Sequence, residues 1–132
     1  MSRRPHFLEP LLGGDVQDLE LGVDERPAPV ATSLEPAFDS ASRKKGLLGR
    51  SALASGVAIV IAPSSAVHTF GMRFPIDIIF AGRDGTVLKI RHAVPRTRVA
   101  AALKAFAVIE MAAGSAKQAG LAVGDRLSVR RP

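Results

Sequence analysis

The stretch "PIDIIFAGRDGTVLKIRHAV" (75–94) constrains the fold more than any other part of this sequence. A short apolar run reaches Asp84-Gly85, a pair suited to a turn that needs positive φ, and an alternating run then returns. In the first run Ile76, Ile78 and Phe80 share one strand face, and Asp77 shares the other with Ile79. A hairpin of this kind cannot stand alone in water and must pack against further strands. The rest of the chain offers candidates. "VAIVIA" (57–62) reads as a buried strand between Gly56 and Pro63, and "AVHTFGM" (66–72) as a strand with a break at Gly71. "DLELGV" (18–23) and "APVATSL" (28–34) form a second expected hairpin around "DERP". "RLSV" (126–129) follows a Val-Gly-Asp turn and closes the chain. "AALKAFAVIEM" (101–111) is open between helix, favoured by its alanines, and strand, favoured by "FAVIEM".

Helix signals are sparse. Ser40 or Ser42 is expected to cap a helix of about two turns that Gly46 and Gly49 limit. Ser115 is expected to cap a single turn ended by Gly120. The pattern predicts a mainly β domain, a small sandwich or barrel-like arrangement of short, mostly antiparallel strands with one or two short helices. Residues 1–17 read as an N-terminal arm and 18–132 as one domain, in keeping with 132 residues of which 47% are hydrophobic. Glu9 and Pro10 interrupt the apolar run at the N-terminus, so no signal-peptide core is expected. No apolar run is long enough to span a bilayer, and no membrane span is expected. A soluble, cytoplasmic protein is the expectation.

Charge is unevenly distributed within the net +6. Residues 1–40 carry three bases against eight acids, a balance of −5, and residues 41–132 carry fifteen against four, a balance of +11. Either the acidic segment lies across the basic body, or the body attracts an anionic partner. Arg43, Lys44 and Lys45, with Arg96 and Arg98, are the candidate anion-binding residues. The absence of Tyr and Trp leaves few stacking platforms for nucleic-acid bases. With no Cys and only His6, His68 and His92, no metal site or cofactor is expected. No Gly-x-Ser-x-Gly elbow is present, and "GLLGRS" lacks the ending of a phosphate-binding loop.

Charged residues set among apolar ones define a candidate polar cluster of Arg50, His68, Arg73, Asp77 and Glu110. A buried Asp77 would need a partner, because an unpaired buried carboxylate is costly. Arg50, Arg73 or both are the expected partners. An enzyme built on Asp77, Glu110 and His68 would instead require the three to converge on a cleft.

Three ordered segments, "RKKGLLGRSAL", "HTFGMRFPIDIIFAGRDGTVLKI" and "VIEMAAGSAKQAGLAVGDRL", resemble the domain-of-unknown-function 192 family over about residues 29–129. Gly46, Leu47, Gly49 and Arg50 match its Gly-Leu-x-Gly-Arg element, and Met72, Ile76, Asp77 and Phe80 match its Met-to-Phe element. Glu110 with Gly114, and Gly124 with Asp125, match the remaining two. Many members carry Trp and Asn about the methionine, where this chain has Phe70 and Arg73. The resemblance implies a mainly β, sandwich-like domain and brings no activity, cofactor or catalytic residue. "GSAKQAGLAVGDRLSV" (114–129) is also similar to the end of a PDZ domain, so peptide binding stays open. The favoured expectation is a non-enzymatic binding or interaction domain, with anion or nucleic-acid binding as the alternative.

Overall fold

The computed structural model describes residues 4–45 and 50–132. Gly46, Leu47 and Gly49 lie outside them, and so do the side chains of Lys44 and Lys45. The strands are β1 (Glu20–Val23), β2 (Pro29–Ala31), β3 (Ser33–Ala37), β4 (Val57–Ile61), β5 (Ala66–His68), β6 (Ile76–Ala81), β7 (Val87–Val94), β8 (Val99–Ala101), β9 (Ala107–Ala112) and β10 (Leu127–Arg130). Two short helices, α1 (Ser40–Lys45) and α2 (Ser115–Gln118), and a 3-10 turn at Glu9–Gly13 complete the description.

A five-stranded sheet in the order β3-β4-β9-β6-β7 forms the middle of the fold. Only β3 and β4 run parallel; the other pairs are antiparallel. The three-stranded sheet β10-β1-β2 covers one face, where Leu21, Val23 and Leu127 pack with Val60, Ile79 and Ile109. The β5-β8 ribbon and its flanking loops cover the other, where Ala100 and Met72 pack with Ile61, Ile76, Phe80 and Val108. Every residue of β6, and all but the last of β9, is therefore buried. This explains why "IDIIFA" and "AVIEM" read as almost continuous apolar runs rather than as alternating ones: strands covered on both faces have no polar side.

The hairpin at 75–94 forms as expected. Gly85 turns with φ +89, and a Cβ there would collide with the Leu127 carbonyl oxygen. The ambiguous stretch 101–111 is strand, turn and strand rather than helix, because pairing with β4 and β6 overrides the helix preference of its alanines. The expected caps differ as well. Asp39, not Ser40 or Ser42, starts α1: its Oδ1 accepts the Ser42 backbone N–H at 2.8 Å and its Oδ2 the Ser42 hydroxyl at 2.9 Å. The N-cap of α2 is Gly114, which has no side chain to offer, so Ser115 does not cap it. The segment read as an arm is anchored. Leu8 and Leu11 are buried in the core, and the Phe7 N–H donates to the Arg83 carbonyl at 2.8 Å.

Candidate functional site

Asp77 and Glu110 sit on neighbouring central strands, and the pleat sends them to opposite faces. Asp77 pairs across to Met111, toward the three-stranded sheet. Its carboxylate is 0% exposed. Oδ1 accepts the N–H of Ala93 at 2.8 Å and Oδ2 accepts the N–H of Ala116 at 2.9 Å. Both donors are special. Ala93 has φ +46 and lies where the β6–β7 register slips between Ile76 and Ile78, a bulge whose extra N–H has no place in the ladder. Ala116 lies in the first turn of α2, where amides have no partner within the helix. One carboxylate therefore satisfies an irregular amide on β7 and an orphan amide on α2, and ties both to β6. This corrects the expected pairing of Asp77 with Arg50 or Arg73. Its two oxygens are taken by backbone, and Arg50 is engaged elsewhere.

Glu110 has the other face. It lies in a row that crosses the whole sheet in register: Glu35, Ile59, Glu110, Ile78 and Arg91. Arg50 forms an ion pair with Glu35 at 2.5 Å at the edge of this row. Two strand spacings, about 10 Å, separate Glu110 from Glu35 on one side and from Arg91 on the other. Glu110 is 3% exposed and has no side-chain hydrogen-bond or ion-pair partner among the described residues. Burial raises its pKa from the ordinary 4.5 of an exposed glutamate to about 7.

The loops at the end of β7 form a third feature. Thr69 is buried and its hydroxyl is used twice, donating to the Pro95 carbonyl at 2.7 Å and accepting the Arg98 N–H at 2.8 Å. Thr97, at φ +65, stands within the loop thus held. Thr69→Val keeps the shape and removes both bonds, so we expect a loss of about 2 kcal/mol in urea unfolding. Faster amide exchange at 95–98 is expected to accompany it; an unchanged midpoint would show that the hydroxyl does not hold the loop. The loop displays Arg96 and Arg98 next to the β5-β8 ribbon. Arg73 is exposed on the segment after Thr69, and Arg91 is exposed on β7. None of these four is in an ion pair among the described residues. His68 is exposed on β5, with its ring stacked on Phe70 at 5.2 Å between centroids.

The expected polar cluster is thus not brought together. Asp77 and Glu110 occupy opposite faces, Arg50 serves Glu35, and His68 and Arg73 are on the surface. The convergence required of an enzyme using Asp77, Glu110 and His68 is not present. The basic candidates are divided too. α1 leaves the sheet after Ala37 on one edge strand, whereas the 95–98 loop leaves it after Val94 on the other edge and at the opposite strand ends. Arg43 also turns inward, donating to the Phe38 carbonyl and to the Ser40 hydroxyl. The acidic N-terminal segment does meet the basic body in part, through Glu20 to Arg130 at 3.0 Å and Glu35 to Arg50. Among the described residues it forms no ion pair with the 95–98 loop. Among the described residues, no group of three or more His, Asp or Glu is placed to hold a metal ion, and no helix is long and apolar enough to cross a membrane.

Sequence reasoning missed Glu35, Thr69 and Arg91. Thr69 carries no motif, and Arg91 reads as one more polar residue of an alternating strand. Glu35 and Glu110 are 75 positions apart, and only the strand order puts them in one row.

A comparison with functionally curated proteins finds no match. Two crystal structures share the fold. One, described as a candidate transcription regulator from Sinorhizobium meliloti 1021, is 24% identical; the match covers 84% of this chain and 91% of that one, with a TM-score of 0.74. The other, a protein of unknown function from Novosphingobium aromaticivorans, is 25% identical over 83% of each chain, with a TM-score of 0.72. The model of the DUF192 family (Uncharacterized ACR, COG1430) matches residues 23–129, which include every described element of the central sheet, the ribbon, Asp77 and Glu110. The chain therefore belongs to the DUF192 family.

Proposed function

We propose that this is a non-enzymatic interaction domain and that its partner is a polyanion of the nucleic-acid type, held on the face around the β5-β8 ribbon. The observation that supports this reading is the set of four exposed arginines, Arg73, Arg91, Arg96 and Arg98, none with a carboxylate partner. Between residues 61 and 109 the acids are Asp77, which is buried, and Asp84, which pairs with Arg126 at the far end of the hairpin. Glu110, on the same sheet face, is buried two strands from Arg91. The ribbon face thus offers exposed cations that no carboxylate pairs with among the described residues. Such groups gain binding energy by releasing the counterions of a phosphate backbone. Phe70 is exposed beside them and gives one surface on which a base can stack. The loop that carries Arg96 and Arg98 is held in shape by Thr69, so less order has to be imposed on binding.

The test is fluorescence anisotropy with a short labelled duplex and the corresponding single strand across a salt series. Four phosphate contacts predict a slope of log K against log salt of about −4 on duplex. The double variant Arg96→Ala, Arg98→Ala is expected to reduce that slope by about 2 and to leave the melting temperature within about 2 °C. Binding without salt dependence, or a double variant that binds like the parent, would overturn the proposal.

A further inference from the structure

At the opposite end of the sheet from the arginine loop, a cleft of about 340 Å³ opens between the N-terminal segment and the body. Its walls are mostly apolar: Leu12, Phe38, Ala62, Pro63 and Phe106, with His6 and Arg83 as the polar groups. The backbone places Phe106 there by donating its N–H to the Ala81 carbonyl at 2.8 Å, at the end of β6. The His6 ring tilts against Phe106 at 4.8 Å, and the Arg83 guanidinium carbon lies 4.5 Å from the same ring's centre.

The guanidinium of Arg83 is under-used. Its Nη2 donates to the Arg4 carbonyl at 2.5 Å. Its Nε is fully buried and has no hydrogen-bond partner among the described residues. Among the described residues no carboxylate forms an ion pair with it. The Nε–H and one Nη2–H of a guanidinium point the same way and are spaced for the two oxygens of a carboxylate. Of these two donors Nη2 meets the Arg4 carbonyl and Nε meets no acceptor among the described residues. A carboxylate that displaced the Arg4 carbonyl would satisfy both donors and bring the missing charge. The rest of such a ligand would lie along Phe106, Phe38 and Pro63, and would cover Leu12, which is 43% exposed.

We propose that this cleft binds a small monocarboxylate with an apolar body, its carboxylate on Arg83 and its apolar part on Phe106 and the neighbouring walls. The volume falls at the small end of the range for ligand sites. The site is separate from the basic ribbon face and does not depend on it.

The experiment titrates the full chain with benzoate and with octanoate, and with the neutral controls benzamide and methyl octanoate, read by calorimetry and by amide NMR shifts. Saturable binding of the carboxylates is expected, with shifts at residues 6–12, 83 and 106. The neutral controls are expected to bind at least about tenfold more weakly, the loss of one charge-assisted pair. Arg83→Met, which keeps the stem over the ring, is expected to remove that preference. Leu12→Asp changes a partly exposed position and sets a negative charge at the mouth; it is expected to exclude the carboxylates even if Arg83→Met folds poorly. Arg96→Ala is expected to leave carboxylate binding unchanged, which separates this site from the polyanion face. Equal binding of acids and neutral controls, shifts that map away from the cleft, or no saturable binding into the millimolar range would each overturn the proposal.

Discussion

Asp77→Ala is expected to lose about 4 kcal/mol of stability, seen as a large fall in the urea midpoint. The substitution leaves the Ala93 and Ala116 N–H groups buried without an acceptor. Each hydrogen bond to a charged group is worth about 1.5–3 kcal/mol, and each unmet buried donor carries its own desolvation cost. Asp77→Asn is expected to fall between parent and Asp77→Ala. It keeps one acceptor oxygen but turns an NH2 toward a backbone donor. The competing idea, that Asp77 is held by an arginine, makes a different prediction. On that view Arg50→Gln would cost as much as Asp77→Ala. The geometry instead gives Arg50 a half-exposed partner, Glu35, and pairs of that kind contribute no more than about 1 kcal/mol. An Asp77→Ala variant within about 1 kcal/mol of the parent would refute the account.

Glu110 sets the second large effect, and its sign follows from the direction of the shift. Its pKa in the folded protein is about 7, above the 4.5 of the exposed group. Below pH 4.5 the carboxyl is protonated in both states and contributes no difference. As pH rises from 4.5 toward 7 the unfolded chain ionises more readily, so stability falls. Above about 7 the penalty is complete, at about 3 kcal/mol. The protein is therefore expected to unfold more easily at pH 8.5 than at pH 5. Glu110→Gln removes the ionisation, flattens this part of the profile and makes the variant the more stable chain at pH 8.5. Asp39 and Asp84 are lowered by hydrogen bonds with Ser42 and Thr86, so their titrations fall below this window. A carboxyl resonance for Glu110 that titrates near 4.5, or equal stability of parent and Glu110→Gln at pH 8.5, would contradict the reading.

Both residues stand out in the sequence as acids within apolar runs, and both are buried. Their treatment differs for a reason no local pattern contains. Asp77 faces a bulge and a helix start contributed by residues 93 and 116. Glu110 faces isoleucines on either side, Ile59 and Ile78. The pleat alone separates their faces, and what waits on each face depends on strand order. The same holds for the basic residues. "RKK" and "RTR" look like parts of one patch in the chain, yet they leave the sheet at different edges. The cleft beside Arg83 gathers residues 6, 12, 38, 62, 63, 83 and 106, positions too scattered for any motif to connect.

Hydrophobic runs and turn chemistry, read along the chain, determined that this protein is mainly β, that 75–94 is a hairpin, and that helices would be short. Those features depend on neighbours within a few residues, through pleat, φ preference and the cost of glycine in a helix. The ordered motifs also sufficed to indicate the family. Tertiary structure alone decided that β9 lies between β4 and β6, that Asp77 binds backbone rather than arginine, and that Glu110 is left without a partner among the described residues. These are matters of which groups meet after the strands have paired, and pairing brings together atoms whose distance in the chain carries no information about their distance in space.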